Sequence, residues 1–135
     1  RGGKITLHNP GQKIVYFVLN LNERKKDIKS LVKQIELSII DFLKLYRINS
    51  YSDKENVGIW VEDKKIGAIG IRVSNWIAYH GFSINIKNNL NYYKKIKPCG
   101  LDNTKVTSVK IESKFKINDI ETSLINIFLK NLKNI

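Results

Sequence analysis

The 135-residue chain is long enough for one domain with a modest core, and its 42% hydrophobic residues exclude a disordered protein. No apolar run approaches the ~18 residues of a membrane span, no signal peptide is recognisable, and one cysteine excludes an internal disulfide framework. These features predict a cytoplasmic protein. The net charge of +12 leaves two interpretations open: a surface for an acidic partner, or scattered lysines of biased composition.

The N-terminal half begins with a glycine-rich loop and continues as a strand and a helix. Residues 13–21 are β-branched and aromatic, and they predict a strand apolar enough to be buried on both faces. From residue 28, steps of three and four residues predict a helix with Asp27 as its N-cap. The apolar stripe is predicted to be core: Ile28, Leu31, Val32, Ile35, Ile39, Phe42, Leu43 and Tyr46.

A cluster of strands is predicted in the centre. The polar residues 49–56 predict a loop. Residues 57–62 and 65–73 predict two strands joined by a tight hairpin at residues 63–64, and residues 76–86 predict a third strand. Alternation along the third strand predicts one face formed by Trp76, Ala78, His80, Phe82, Ile84 and Ile86.

The C-terminal part is predicted to end in a helix. Residues 88–95 predict a helical turn, and proline and glycine place Cys99 in a loop. Residues 107–112 predict a short strand or extended run, and the last helix begins at about Asn118, which forms a capping box with Glu121. The order strand, helix, strand cluster, helix predicts an α+β fold with a mixed or mainly antiparallel sheet.

Cys99 is the best nucleophile candidate on local chemistry, because it lies in a turn-like loop rather than inside an apolar element. A thiolate nucleophile needs a base or a nearby positive charge. His8, His80 and a lysine such as Lys65 are all candidates, and spacing does not choose among them. The polar residues show no metal-ligand spacing, so no metal site is predicted.

Four stretches in order resemble the lipoyl (octanoyl) transferase family. Residues 1–12 (RGGKITLHNPGQ), with Tyr16 after them, resemble RGGxxTxHxPGQxxxY. Residues 58–70 (GIWVEDKKIGAIG) resemble GVWV…KIAAIG, residues 80–85 (HGFSIN) resemble HGxxxN, and residues 98–100 match PCG. Each motif is modest alone, and the ordered set is specific.

The resemblance implies a fold similar to biotin and lipoate ligases, with residues 1–135 as a single catalytic domain that lacks the family's N-terminal portion. The absence of methionine and the start at Arg1 also predict a fragment or trimmed chain. Two departures occur beside the motif histidine. Leu7 replaces an aromatic residue and Asn9 replaces a glycine, which alters pocket shape without removing a catalytic group.

The resemblance also implies a mechanism. Cys99 takes octanoyl from the phosphopantetheine thioester of acyl carrier protein, and Lys65 lowers the pKa of the thiol and shuttles the proton. The acceptors are lipoyl domains of 2-oxoacid dehydrogenase complexes and the glycine cleavage H protein. No cofactor or ATP requirement is expected, and the protein is expected to be a monomer. The implied substrate-binding residues are Arg1, Gly2, Gly3, Lys4, Ile5, Thr6, Leu7, His8, Ala68, Ile69, Gly70, Gly81, Phe82 and Ser83, with His80 and Asn85 as further pocket candidates.

Three alternatives remain open on the sequence. An ATP-dependent lipoate or biotin ligase shares the fold but needs no cysteine. A nucleic-acid-binding module is suggested by charge alone, with residues 92–95 (YYKK) as its one short candidate stripe. An inactive transferase fragment is the third.

Overall fold

The computed structural model describes residues 8–91 and 105–135. These residues form one sheet and three helices. The strands are β1 (Gln12–Asn20), β2 (Tyr51–Ser52), β3 (Ile59–Val61), β4 (Lys64–Ser74), β5 (Ile77–Asn85) and β6 (Lys105–Val106). The helices are α1 (Ile28–Lys44), α2 (Val109–Glu112) and α3 (Ile120–Leu132), with a 3₁₀ turn at Leu21–Glu23.

The strand order is β1-β5-β4-β3-β2, with every neighbouring pair antiparallel. The short β6 pairs in parallel with the start of β4, at Lys64 and Lys65. The predicted α+β class with a mixed, mainly antiparallel sheet is therefore confirmed. The hairpin between β3 and β4 turns at residues 62–63, one residue earlier than predicted, because Glu62 adopts the left-handed φ of 54° that the turn needs.

Helix α1 follows the sequence prediction closely. Asp27 is its N-cap, and its carboxylate accepts hydrogen bonds from the Ser30 backbone N–H (3.2 Å) and the Ser30 hydroxyl (2.8 Å). These hydrogen bonds lower the pKa of Asp27, because they stabilise the charged carboxylate. Most of the predicted stripe packs into the core, through Leu31, Ile35, Ile39, Phe42, Leu43 and Tyr46. Its first residue, Ile28, is exposed instead.

Helices α1 and α3 cover one face of the sheet. The Phe128 ring of α3 lies 5.5 Å from the Phe17 ring of β1 and 5.3 Å from the Phe82 ring of β5, measured between centroids. Ile39 of α1 lies over Gly67 of β4. Side chains alternate across a strand, so the neighbours of these residues point to the opposite side, which we call the open face.

The prediction that the first strand is buried on both faces is wrong. Tyr16 and Val18 of β1 are 72% and 76% exposed, whereas Phe17 between them packs on α3. Because the described helices cover only one face, the alternate residues of β1 are left on the open face. An uninterrupted apolar run therefore does not imply two covered faces.

Three smaller predictions also change. The predicted loop at residues 49–56 contains β2. Residues 107–112 are not a strand: Ser108 caps the short helix α2 after β6 ends. The predicted capping box of the last helix is absent, since Asp119 precedes the helix at φ 48° and Glu121 pairs with Lys13 at 2.6 Å.

The predicted turn at 88–95 lies partly outside the described residues, and the loop at 97–100 lies wholly outside them. In the described ranges, no helix is long and apolar enough to cross a membrane.

Candidate active site

Lys65 is placed by an irregularity in the pairing of β3 with β4. Ile59 is opposite Gly67, but the next residue, Trp60, is opposite Lys65, so Ile66 is an extra residue on β4. Such a bulge re-aims the side chains beside it. Pairing with Trp60 puts Lys65 on the open face, where its Nζ lies 6.0 Å from the centroid of the Trp60 ring.

Burial distinguishes Lys65 from its neighbour Lys64. Lys65 is 5% exposed, which is rare for a lysine. Lys64 instead forms an ion pair with Glu112 at 3.1 Å, and this contact raises the pKa of the Lys64 ammonium. Of the two adjacent lysines, Lys64 is therefore paired with the Glu112 carboxylate, and Lys65 is the more deeply buried.

Gly58 makes the space that Lys65 occupies. Its φ is 135°, and a Cβ built there would lie 2.5 Å from Lys65 Cε and 3.3 Å from Nζ. The Trp60 indole N–H donates to the Asn56 carbonyl at 2.9 Å, which holds the ring in place. Gly58 and Trp60 were part of the GIWV motif but were not singled out as site residues. A glycine just before a short strand reveals a close approach only when the residue that approaches it is known.

Small residues continue the open face away from Lys65. Ala68 is opposite Ser83, and Gly70 is opposite Gly81, across the central pair β4–β5. We call these four residues the small-residue slot. Its members carry little or no side chain on this face of the sheet.

Two predicted pocket residues point the other way. Phe82 is 3% exposed and packs against Phe128 in the core, and Ile69 alternates onto the same helix-covered face. Their side chains support the sheet from behind, while the small-residue slot lies on the open face.

His80 and Gly81 lie where β5 approaches β1 closely. His80 has a φ of 70°, an uncommon value for a residue with a side chain, and its ring lies 4.9 Å from that of Tyr79. A Cβ at Gly81 would lie 1.8 Å from the Val15 carbonyl oxygen, so only glycine fits. The strained histidine and the obligatory glycine are the HG of the third motif.

Side-chain amides join the segments at the end of β1 and β5. Asn85 Nδ2 donates to the Thr107 carbonyl at 3.1 Å, and Gln12 Nε2 donates to Asn85 Oδ1 at 2.9 Å. Gln12 Oε1 lies 2.7 Å from Nδ1 of His8. Of the predicted site, the structure therefore brings His8 and Asn85 into one network. Gln12 is the last residue of the first motif, but neither Gln12 nor Thr107 was predicted as a site residue.

The remaining predicted site residues lie outside the described residues: Cys99 and residues 1–7 (Arg1, Gly2, Gly3, Lys4, Ile5, Thr6 and Leu7). Within residues 8–91 and 105–135, no three histidine, cysteine, aspartate or glutamate side chains cluster as metal ligands.

The architecture is that of the biotin and lipoate protein ligases. A crystal structure of lipoate-protein ligase A bound with ATP aligns with a TM-score of 0.79 at 16% identity, over 98% of this chain and 56% of that one. A biotin protein ligase from Aquifex aeolicus aligns with a TM-score of 0.72 at 18% identity, over 92% of this chain and 54% of that one. At these identities the likeness establishes the fold.

The chain belongs to the family described as the lipoyl protein ligase A/B catalytic domain, whose family model matches residues 1–129. It is 47% identical over 116 residues to an octanoyltransferase of Rickettsia rickettsii (strain Sheila Smith), covering 81% of this chain and 56% of that protein. It is 40% identical over 133 residues to an octanoyltransferase of Zymomonas mobilis, covering 95% of this chain and 62% of that protein. The family resemblance is thus confirmed, and the chain spans between half and two thirds of the length of these relatives.

Proposed function

We propose that the protein transfers an octanoyl group from acyl carrier protein to a lysine of a lipoyl domain, in lipoate biosynthesis. The observation that carries the proposal is the buried Lys65, which lies on the same face of the sheet as the small-residue slot of Ala68, Gly70, Gly81 and Ser83. The names of the two similar octanoyltransferases support the choice of acyl group. The single cysteine, Cys99 in a PCG motif, supports a covalent route.

In the first step, the Cys99 thiolate attacks the carbonyl carbon of the octanoyl thioester. A new carbon–sulfur bond forms, the bond to the phosphopantetheine sulfur breaks, and that sulfur leaves as a thiol after taking a proton. The Lys65 ammonium supplies this proton and stabilises the thiolate before attack. The low exposure of Lys65 supports this role, because charge interactions are stronger where water is excluded.

In the second step, the lysine amine of the lipoyl domain attacks the thioester on Cys99. A carbon–nitrogen bond forms and the carbon–sulfur bond breaks. The amine gives its proton to the neutral Lys65 left by the first step, so that the Cys99 thiolate and the Lys65 ammonium are both restored. A thioester is converted to an amide, so no nucleotide is required. The small-residue slot takes the octanoyl chain, whose burial contributes about 0.8 kcal/mol per methylene group.

The net charge of +12 has a use in this scheme, since acyl carrier proteins are acidic. A basic surface accelerates encounter with an acidic partner, and the acceleration weakens as salt is added. We expect kcat/KM for octanoyl-acyl carrier protein to fall as ionic strength rises. A rate that does not respond to salt would assign the lysines to composition alone.

The decisive experiment is intact-mass analysis after incubation with octanoyl-acyl carrier protein in the absence of ATP. We expect one octanoyl adduct, mapped to Cys99, that disappears in Cys99→Ala and is discharged by an added lipoyl domain. Lys65→Met is expected to form the adduct at least 100-fold more slowly, from the general size of acid–base contributions. Strict ATP dependence with a working Cys99→Ser variant would instead identify a ligase.

A further inference from the structure

The orientation of the Asn85 carboxamide is determined by a backbone carbonyl. An amide oxygen and nitrogen are nearly indistinguishable by shape, so their assignment depends on their partners. The Thr107 carbonyl lies 3.1 Å from Asn85 and can only accept a hydrogen bond. The atom that faces it must therefore be the donor, Nδ2, and the oxygen Oδ1 points the other way.

Two donors then occupy Asn85 Oδ1. Gln12 Nε2 lies at 2.9 Å and Asn88 Nδ2 at 3.2 Å. A second backbone carbonyl confirms the direction: Asn9 Nδ2 donates to the Asn89 carbonyl at 2.8 Å, so Asn9 Oδ1 must accept, and it does so from Asn88 Nδ2 at 3.1 Å. Two independent carbonyls thus orient the same chain of amides.

The chain of amides ends on a histidine. Since Gln12 presents Nε2 to Asn85, it presents Oε1 to His8, whose Nδ1 lies 2.7 Å away. A carboxamide oxygen only accepts, so Nδ1 of His8 must carry the proton. In the neutral ring the other nitrogen, Nε2, is then the acceptor.

The same carboxamide also reaches the strand of Lys65. Thr107 accepts from Asn85 through its carbonyl, and its N–H donates to the Lys65 carbonyl at 2.9 Å. A single residue, Thr107, therefore separates Asn85 from the backbone of Lys65. Asn85 therefore links Lys65 with His8, the histidine that precedes β1.

We propose that Asn85 is a positioning residue, which holds His8 through Gln12 as the Nδ1–H tautomer and anchors the backbone of Lys65 through Thr107. His8 Nε2 is thereby the ring nitrogen left to accept a hydrogen bond. The effect of this positioning on octanoyl transfer rests on the proposed function. Asn85 does not bind substrate through its oxygen, because two lone pairs already meet two donors and the residue is 6% exposed.

The tautomer is measured directly by long-range ¹H–¹⁵N correlation spectra of the protein labelled at histidine. The signals that disappear in His8→Gln are those of His8. At about pH 9, where histidine rings are ordinarily neutral, we expect the Nδ1–H pattern for His8. Asn85→Leu removes the acceptor that orients the Gln12 amide, so the share of the Nε2–H pattern should rise. An Nε2–H pattern in the wild type, or an unchanged Nδ1–H pattern in Asn85→Leu, would overturn the proposal.

Asn85→Asp separates the two arms of the network, namely the arm to His8 through Gln12 and the arm to Lys65 through Thr107. A carboxylate still accepts from Gln12 but cannot donate to Thr107. We expect the Nδ1–H pattern of His8 to persist while Lys65, mapped by reductive methylation and mass spectrometry, is modified several-fold faster. If Asn85→Leu does not fold, Gln12→Leu tests the arm to His8, and an unchanged tautomer there refutes it.

Asn131→Leu is the matched control. Asn131 Nδ2 also joins two elements, α3 and α1, by bonds of 3.0 Å to Ser38 Oγ and 3.4 Å to Asp41, but it lies in the helical layer. The Asn131→Leu variant should be less stable than the wild type, with no change in the tautomer of His8 or in the methylation of Lys65.

Kinetics give a second, separate readout. In Asn85→Leu we expect kcat to fall about 100-fold with KM within about twofold, the cost of a misplacement near 1 Å. A raised KM with unchanged kcat would mean direct substrate contact, and equality with Asn131→Leu would mean a purely structural role. If the wild type forms no acyl adduct, the proposed function fails, whereas the tautomer and methylation results still decide the positioning of His8 and Lys65.

Discussion

Gly58→Ala is the smallest substitution that displaces Lys65. A Cβ at residue 58 would lie 2.5 Å from Lys65 Cε, whereas ordinary contact begins at 3.4 Å, so the Lys65 side chain must retreat by about 0.9 Å (3.4 − 2.5). A misplacement of about 1 Å costs on the order of 100-fold in rate, or about 2.7 kcal/mol at 1.36 kcal/mol per tenfold. We therefore expect kcat for octanoyl transfer to fall about 100-fold.

The assay must separate displacement from loss of fold, because residue 58 has a φ of 135° that alanine rarely adopts. Rates are therefore divided by the folded fraction from thermal unfolding. Gly67→Ala is the control: its Cβ meets Ser83 O at 3.2 Å, Ile59 Cβ at 3.4 Å and Ile39 Cγ2 at 3.6 Å, and it does not touch Lys65. If Gly58→Ala retains kcat within about threefold of Gly67→Ala, Gly58 does not position Lys65.

Three further outcomes are expected. Phe128→Ala removes a buried ring that contacts two others, and should lower the free energy of unfolding, measured by urea titration, by about 3–5 kcal/mol. Leu129→Ala, at a 55% exposed position, should lower it far less. Equal losses in the two variants would contradict the packing of α3. Ala68→Leu fills the small-residue slot, and should reduce kcat/KM about 10-fold for octanoyl but less for butyryl donors; an equal loss for both would place the acyl chain elsewhere. Asp27→Ala should lower Tm at pH 7. Since hydrogen bonds lower the pKa of this carboxyl below 3.8, its contribution is complete above pH 3.8 and is lost as pH falls through the folded value, so the two Tm values should converge in acid; a gap that persists at low pH would exclude the ionised cap.

Local patterns were sufficient for most elements. The helical spacing from Ile28 and the cap at Asp27 are properties of neighbouring residues, and the structure reproduces both. The strand at 13–21 was found within one residue, but its exposure was not, because Tyr16 and Val18 depend on which face the helices cover. Residues 107–112 were misassigned, since Ser108 caps a helix too short to show periodicity.

In the candidate site, too, some features follow from the sequence and others only from the tertiary structure. Ordered motifs in the sequence determined the family, the proposal of Cys99 as nucleophile, and Lys65 as its partner, because residue identity and order are enough to match a family. The motifs do not reveal that Lys64 and Lys65 differ in burial. They also do not reveal that the side chains of Ile69 and Phe82 lie on the face opposite the small-residue slot. Those distinctions follow from the bulge at Ile66 and from strand register, which set the face of each side chain.

The network around Asn85 could come only from the tertiary structure. Gln12, Asn85 and Thr107 are 73 and 22 residues apart along the chain, and nothing in their local sequence pairs them. Hydrogen bonding depends on distance and direction, and these arise because β1 begins where β5 and β6 end. The sequence therefore determined which chemical groups the protein has, and the fold decided which amide faces His8 and which lysine is buried.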